Sequence, residues 1–336
     1  MRSLCLFRPV WWPLVASVLM CGWLVAPLAG QEPQPPLPSE TKDARQLDTR
    51  QLDARQLDAR QLGTSLLERA RQTMTRAKQA QAPEADRLHG EARALYSEGR
   101  RAFVQWADEL KMKLAALPKT LDRQKDAARA LQRDEWRADY LMARLQAAAV
   151  LEELADALDR SGQEYRDTLA QAAKEYGEIA DTYRVLLAGL YARLFQGRAL
   201  QKQGQVQEAL RCHERLLDML PDARVYQELK TKVLLLAIDC WLDESQKNYA
   251  EAVKRGRAWI DQANTLQVES DDLMALRLAV ARGAWQDAEQ RKKDQPDDPQ
   301  IGERLNEART LAQFVADREG VHQQKARQWL STLPSK

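Results

Sequence analysis

His89, His213 and His322 are the imidazoles of this 336-residue chain, and metal or acid–base chemistry would have to be built around them. They are dispersed through different expected elements, so a three-histidine metal site would need the fold to gather them from distant stretches. Adjacent carboxylates such as Glu152 and Glu153 read more simply as a solvated helix face than as an acid–base pair. The sequence holds no G-x-x-x-x-G-K, no H-E-x-x-H, no G-x-S-x-G and no Gly-rich phosphate loop. Convergent titratable groups are what catalysis needs, and their lack reads as a non-enzymatic chain with no catalytic residue, no metal and no cofactor. Cys212 and Cys240 are the cysteines that remain beyond the N-terminal leader. An exported protein could pair them, and the favoured reading is two buried thiols with no bond. Trp241, Trp259, Trp285 and Trp329 read as inter-helix packing.

The elements that would carry any site are most legible between Leu190 and Pro221. In its second half Val206, Ala209, Leu210, Leu216, Leu217 and Leu220 form one apolar stripe at period 3.6. Leu190, Leu194 and Leu200 do the same in the first half. Gly204 stands between the halves, where a helix would end in a left-handed residue. The stretch is therefore expected to be a helical hairpin, with the small residues Gly197 and Ala209 at its closest approach and Pro221 closing it.

This arrangement resembles the tetratricopeptide repeat, a 34-residue helix-turn-helix unit with small residues at its eighth and twentieth positions and a proline near its end. With Leu190 as the first position, Gly197, Ala209 and Pro221 occupy those three places. Arg193, Leu200 and Leu216 replace the family's usual Trp, Tyr and Ala, so spacing matches better than identity. The resemblance implies an array of hairpins whose first helices line a groove for a protein or peptide. It carries that role to Tyr191, Leu194, Arg198 and Gln201, with Trp241 in the following unit. An aromatic and an aliphatic beside one Arg would suit a segment with an apolar side and one acid; the competing reading is that Tyr191 and Leu194 are core.

The chain opens with Arg2 and Arg8, an apolar core from Leu14 to Ala26, and small residues up to Gly30, which reads as a secretory signal over residues 1–30. Left uncleaved, residues 10–29 would be long enough to anchor the chain in a bilayer, and otherwise no membrane contact is implied. The reading is thus export to the periplasm or beyond. The 51 Lys+Arg less Arg2 and Arg8 equal the 49 Asp+Glu, so the processed chain is neutral and nothing steers it toward nucleic acid.

Residues 31–63 combine a Pro-rich piece with four near-copies of a pentapeptide, ARQLD, TRQLD, ARQLD and ARQLG. Leucines every five residues rotate 140° per step and build no apolar face. A charged tether is expected there, helical at most transiently through Arg-to-Asp i,i+3 pairs. Residues 64–160 read as a long antiparallel helical hairpin turning at Pro118. Its first stripe is Leu88, Ala92, Leu95, Phe103, Trp106, Leu110, Leu114 and Leu117. The second helix, starting near Thr120, would present Leu131, Ala138, Leu141, Leu145, Ala148, Leu151, Ala155 and Leu158 and span about 60 Å if unbroken.

Ser161 and Glu164 have capping-box spacing and open residues 161–298, the repeat-like hairpins. Residues 299–336 follow as capping helices behind Asp298-Pro299, an N-cap with proline at the first helical position. The whole is expected to be all-α: a superhelix of helical hairpins preceded by a long hairpin. It reads as an exported non-catalytic scaffold for protein–protein interaction, monomeric or weakly self-associating. The alternative is an envelope structural protein that oligomerises through residues 84–160.

Overall fold

The computed structural model describes residues 43–118, 120–122, 124–220, 223–266 and 269–333, with side chains from residue 59 onward except at position 224. The chain falls into two compact units, Met1–Gln56 and Leu57–Lys336. Of the first, only the helical backbone from residue 43 is described, so the segment expected to be a leader, residues 10–29 included, and the Pro-rich piece lie outside the described residues, as does Pro221. Among the described residues there is no strand, and no helix is long and apolar enough to cross a membrane.

Helix α1, Asp43–Ala77, runs through the pentapeptides instead of starting after them. Ala, Arg, Gln and Leu are all good helix formers, and no Gly or Pro interrupts them before Gly63. A local backbone preference therefore suffices where an apolar face is missing. The boundary expected at Gly63 is instead a crossing point. A Cβ on Gly63 would stand 3.0 Å from the Phe103 ring, and one on Gly99 would stand 3.5 Å from the Gly63 carbonyl oxygen. These two glycines let α1 approach α2, Glu84–Ala116, whose stripe from Leu88 to Leu110 is buried as expected.

Helix α3, Ala127–Ala155, starts later than Thr120, because Asp122 folds its carboxylate onto the backbone N–H groups of Gln124 and Lys125 in a turn of its own. Its 29 residues span about 43 Å, short of the expected 60 Å. Leu141, Leu145, Ala148, Leu151, Ala155 and Leu158 face the core, but Leu131 and Ala138 are exposed. At this end Ala130 is buried and Trp136 lies 5.4 Å beneath the Lys113 ammonium, which turns Leu131 outward.

The remaining helices are α4 (Gln163–Thr182), α5 (Leu187–Lys202), α6 (Val206–Met219), α7 (Gln227–Trp241), α8 (Tyr249–Thr265), α9 (Asp271–Asp294), α10 (Gln300–Ala316) and α11 (Gln323–Thr332). From α2 onward each packs on its successor. In addition α3 touches α5, α5 touches α7 and α7 touches α9. Those four helices thus form one layer and their partners another, the arrangement of a helical-hairpin superhelix.

Local signals explain most of the turns. Gly204 has φ +82 and ends α5, and its N–H donates to the Gln201 carbonyl. Asp298 Oδ1 accepts from Gln300 N at 2.8 Å ahead of α10, but the N-cap is Pro299, one residue later than expected, and it makes no side-chain cap. The capping box at Ser161 does not form. The hydroxyl donates to Asp159 two residues back, so α4 starts without a side-chain cap. A cap that the sequence reading passed over is Ser270, whose Oγ accepts from Leu273 N at 3.2 Å.

Candidate functional site

Helix α5 was expected to show a binding face, and its apolar residues are instead consumed by packing. Tyr191, Leu194 and, on α7, Trp241 are 5%, 0% and 1% exposed. Side chains this deep offer a partner no surface, so these three belong to the core. Tyr191 and Tyr176 flank Phe195 with ring centroids 6.0 and 5.5 Å away. The physical reason is layering: α5 is covered by α4, α6, α3 and α7, and none of its residues is fully exposed. Gly197 and Ala209 are buried as expected. The nearest neighbour of Gly197 on α6 is the His213 ring, and an added Cβ would come within 2.8 Å of its Nε2.

Arg198, Gln201 and Lys202 lie together among the half-buried residues of α5. Arg198 Nη2 donates to Glu152 Oε2 at 2.7 Å, and its guanidinium lies 4.7 Å from the Phe195 centroid. Lys202 Nζ bridges Glu152 at 3.1 Å and Asp156 at 3.0 Å. Glu152 is buried, which corrects its reading as a solvated face, and neighbouring Glu153 is taken up by Arg71 at 2.7 Å. Burial alone would push the Glu152 carboxyl up. Arg198 and Lys202 outweigh it and bring the group to about 2. Arg198 is thus already neutralised inside the chain. Reversing its charge would set two carboxylates together in a buried place, so Arg198→Glu would attack the fold before it could test binding.

Unpartnered polar atoms gather around this cluster: Arg198 Nε, the Tyr176 hydroxyl and both His213 ring nitrogens have no hydrogen-bond partner. Burial and then the Arg198 charge press the His213 imidazole down to about 3. Cys212 donates weakly to Gln196 Oε1, and Cys240 is fully buried, its thiol pushed up to about 12 by burial and nearby carboxylates. Both thiols are free. The three histidines lie in α2, in α6 and just before α11. Among the described residues no group of three His, Cys, Asp or Glu could hold a metal. Trp259 is buried with its Nε1 donating to Thr231 Oγ1, and Trp285 and Trp329 are half-buried.

The exposed apolar surface lies elsewhere. Met112, Leu131, Val185, Leu186, Met219, Val225, Leu266 and Val321 are eight of the nine large hydrophobic residues that stand exposed among the described residues; the ninth, Leu62, is on α1. All eight sit in or beside the turns α2–α3, α4–α5, α6–α7, α8–α9 and α10–α11. Successive antiparallel helices put those turns on one edge of the superhelix. The opposite edge carries turns of different composition, such as DESQKN after α7 and QPDDP after α9. Helical periodicity could not reveal this edge, because its residues are spaced by whole hairpins. Compared with known proteins, the chain matches no family model, and no curated protein is similar to it in sequence.

Proposed function

We propose that this chain is an exported, non-catalytic scaffold of tetratricopeptide-like hairpins that binds another protein along its apolar edge. The supporting observation is the segregation just described. Large apolar side chains are exposed on the edge of the inter-hairpin turns, up to 87% for Val185, while the turns of the other edge are polar. A monomer gains nothing by exposing aligned hydrophobic residues, whereas an interface core does. Export rests on Arg2, Arg8 and the apolar run that follows them. The groove positions expected on α5 play a reduced part, since Arg198 is held by Glu152.

Co-purification from envelope extracts tests the reading. The triple variant Val185→Asp, Val225→Asp, Val321→Asp should melt like the wild type and lose at least about 90% of the co-purifying protein, the effect expected of charge placed in an interface core. Substituting Gln205, Glu244 and Asp297 by alanine on the opposite edge should retain it. Undiminished recovery with the triple variant would remove the edge as the binding surface. A second reading, self-association through residues 84–160, draws support from Met112 and Leu131, 65% and 60% exposed at the end of the α2–α3 hairpin. A sedimentation coefficient of a monomer at micromolar concentration would exclude it.

A further inference from the structure

The five turns of the apolar edge differ in charge, and the differences are ordered. Between α2 and α3, residues 117–126 carry Lys119, Arg123 and Lys125 against Asp122 and Asp126, a net +1. Residues 183–186, between α4 and α5, carry Arg184 alone, again +1. In the α6–α7 turn, residues 220–226, Asp222 balances Arg224. Residues 266–270, between α8 and α9, carry Glu269 alone, a net −1. The last turn, residues 317–322, sets Asp317 and Glu319 against Arg318, again −1 with His322 neutral. The edge is thus basic toward α2, neutral in its middle turn and acidic toward α11. Lys125, Arg184, Glu269 and Glu319 are all exposed, and the exposed apolar side chains stand among them, Val185 and Val225 at 87% and 70%.

We propose that the edge binds a second copy of this chain, the two edges lying antiparallel about a two-fold axis through the α6–α7 turn. Such an interface uses the same patch on both copies, so the patch must complement itself under the rotation. The antiparallel order sets the α2–α3 turn against the α10–α11 turn of the other copy, and the α4–α5 turn against its α8–α9 turn. Every such meeting is +1 against −1, and the neutral turns share the axis. A parallel order would set like charge against like. An inversion of charge about the middle turn is what self-pairing requires, whereas a foreign partner imposes no such symmetry. Size agrees with this occupant. Neighbouring helices of one layer lie about 8–10 Å apart, so five turns extend about 40 Å, and across two helix layers the edge offers about 800 Å² per copy, the amount a specific interface buries. This deepens the scaffold reading: it rests on that reading for the edge and names the protein that the edge takes.

Sedimentation velocity tests the pairing, and the wild-type chain should be a dimer at micromolar concentration. Lys125→Glu combined with Arg184→Glu makes all four charged turns acidic, and Glu269→Lys combined with Glu319→Lys makes all four basic. Each double variant alone should self-associate at least about 30-fold more weakly, because four exposed pairs turn from attraction to repulsion. A 1:1 mixture of the two should regain the dimer, since each supplies the charge that the other lost. Double variants that dimerise as the wild type does would move the contact to another face and overturn the proposal. The order of the edges is read separately, by oxidising variants with one added cysteine and comparing them with the wild-type background. Val225→Cys, at the axis, should link two copies, and Val321→Cys, about 20 Å from it, should not. Equal linkage would overturn the antiparallel order. A wild-type monomer whose co-purifying protein is still lost in the Val185, Val225 and Val321 triple variant would keep the edge as a binding surface and refute the second copy as its occupant.

Discussion

Ala209→Arg should destabilise the second unit by about 3–5 kcal/mol, the scale of an unpaired charge forced into a packed interior. Ala209 is 0% exposed on α6, in the α5–α6 hairpin where Gly197 already abuts the His213 ring without room for a Cβ. A long cationic side chain has neither space nor a counterion there, since Glu152 is occupied by Arg198 and Lys202. Ala199 looks from sequence like a partly exposed control, but it too is 0% exposed. Gln207→Arg, at the exposed second residue of α6, is the suitable comparison, with a change expected within about 0.5 kcal/mol. Urea unfolding followed by circular dichroism measures both. A midpoint for the Ala209 variant equal to that of the wild type would place this residue outside the core.

The hairpin α5–α6 was legible because its signals are local. Gly204 marks a left-handed stop, and the stripe from Val206 to Leu220 is a set of neighbours one and more turns apart. What periodicity cannot say is whether a given face meets solvent or a second layer. Tyr191 and Leu194 share a face that resemblance assigned to a groove, and α5 turns out to be covered on several sides. Long-range pairing was equally invisible. Glu152 and Arg198 are 46 residues apart, and nothing in the pattern around either names the other. The α1 helix was missed for the opposite reason. It needs no tertiary face to form, only residues with high helical preference and no breaker, and the search for amphipathicity passed over it. The apolar edge escaped because its members never occur together in one helix.

Lowering the pH from 7.5 to 5.0 should cost the fold about 2 kcal/mol through His213 alone. The imidazole is fully buried on α6 with neither ring nitrogen bonded, facing Gly197 and the Arg198 charge of α5. Burial first and Arg198 second hold it neutral down to about 3, whereas in the unfolded chain it protonates near its ordinary value of about 6.5. A base whose folded value is depressed supports the fold fully above the unfolded value. Its contribution is lost as pH falls from about 6.5 toward about 3, because over that window only the unfolded chain takes up the proton. Glu152 acts in a lower window. Its carboxyl is brought to about 2 by Arg198 and Lys202 against the effect of burial, so its support fades only below the ordinary carboxylate range. The interval from pH 7.5 to 5.0 therefore isolates histidine. His322 is also depressed, by burial first, and adds to the slope in the wild type and in any His213 variant alike. His213→Leu removes two buried unpaired nitrogens at similar volume, so it should be no less stable at pH 7.5 than the wild type and should gain on it by about 2 kcal/mol at pH 5.0. Urea midpoints of the two proteins at the two pH values provide the measurement. Parallel losses in both would mean that His213 is protonated within the folded chain, and that the space around Gly197 and Arg198 admits a charge or a water that its burial argues against.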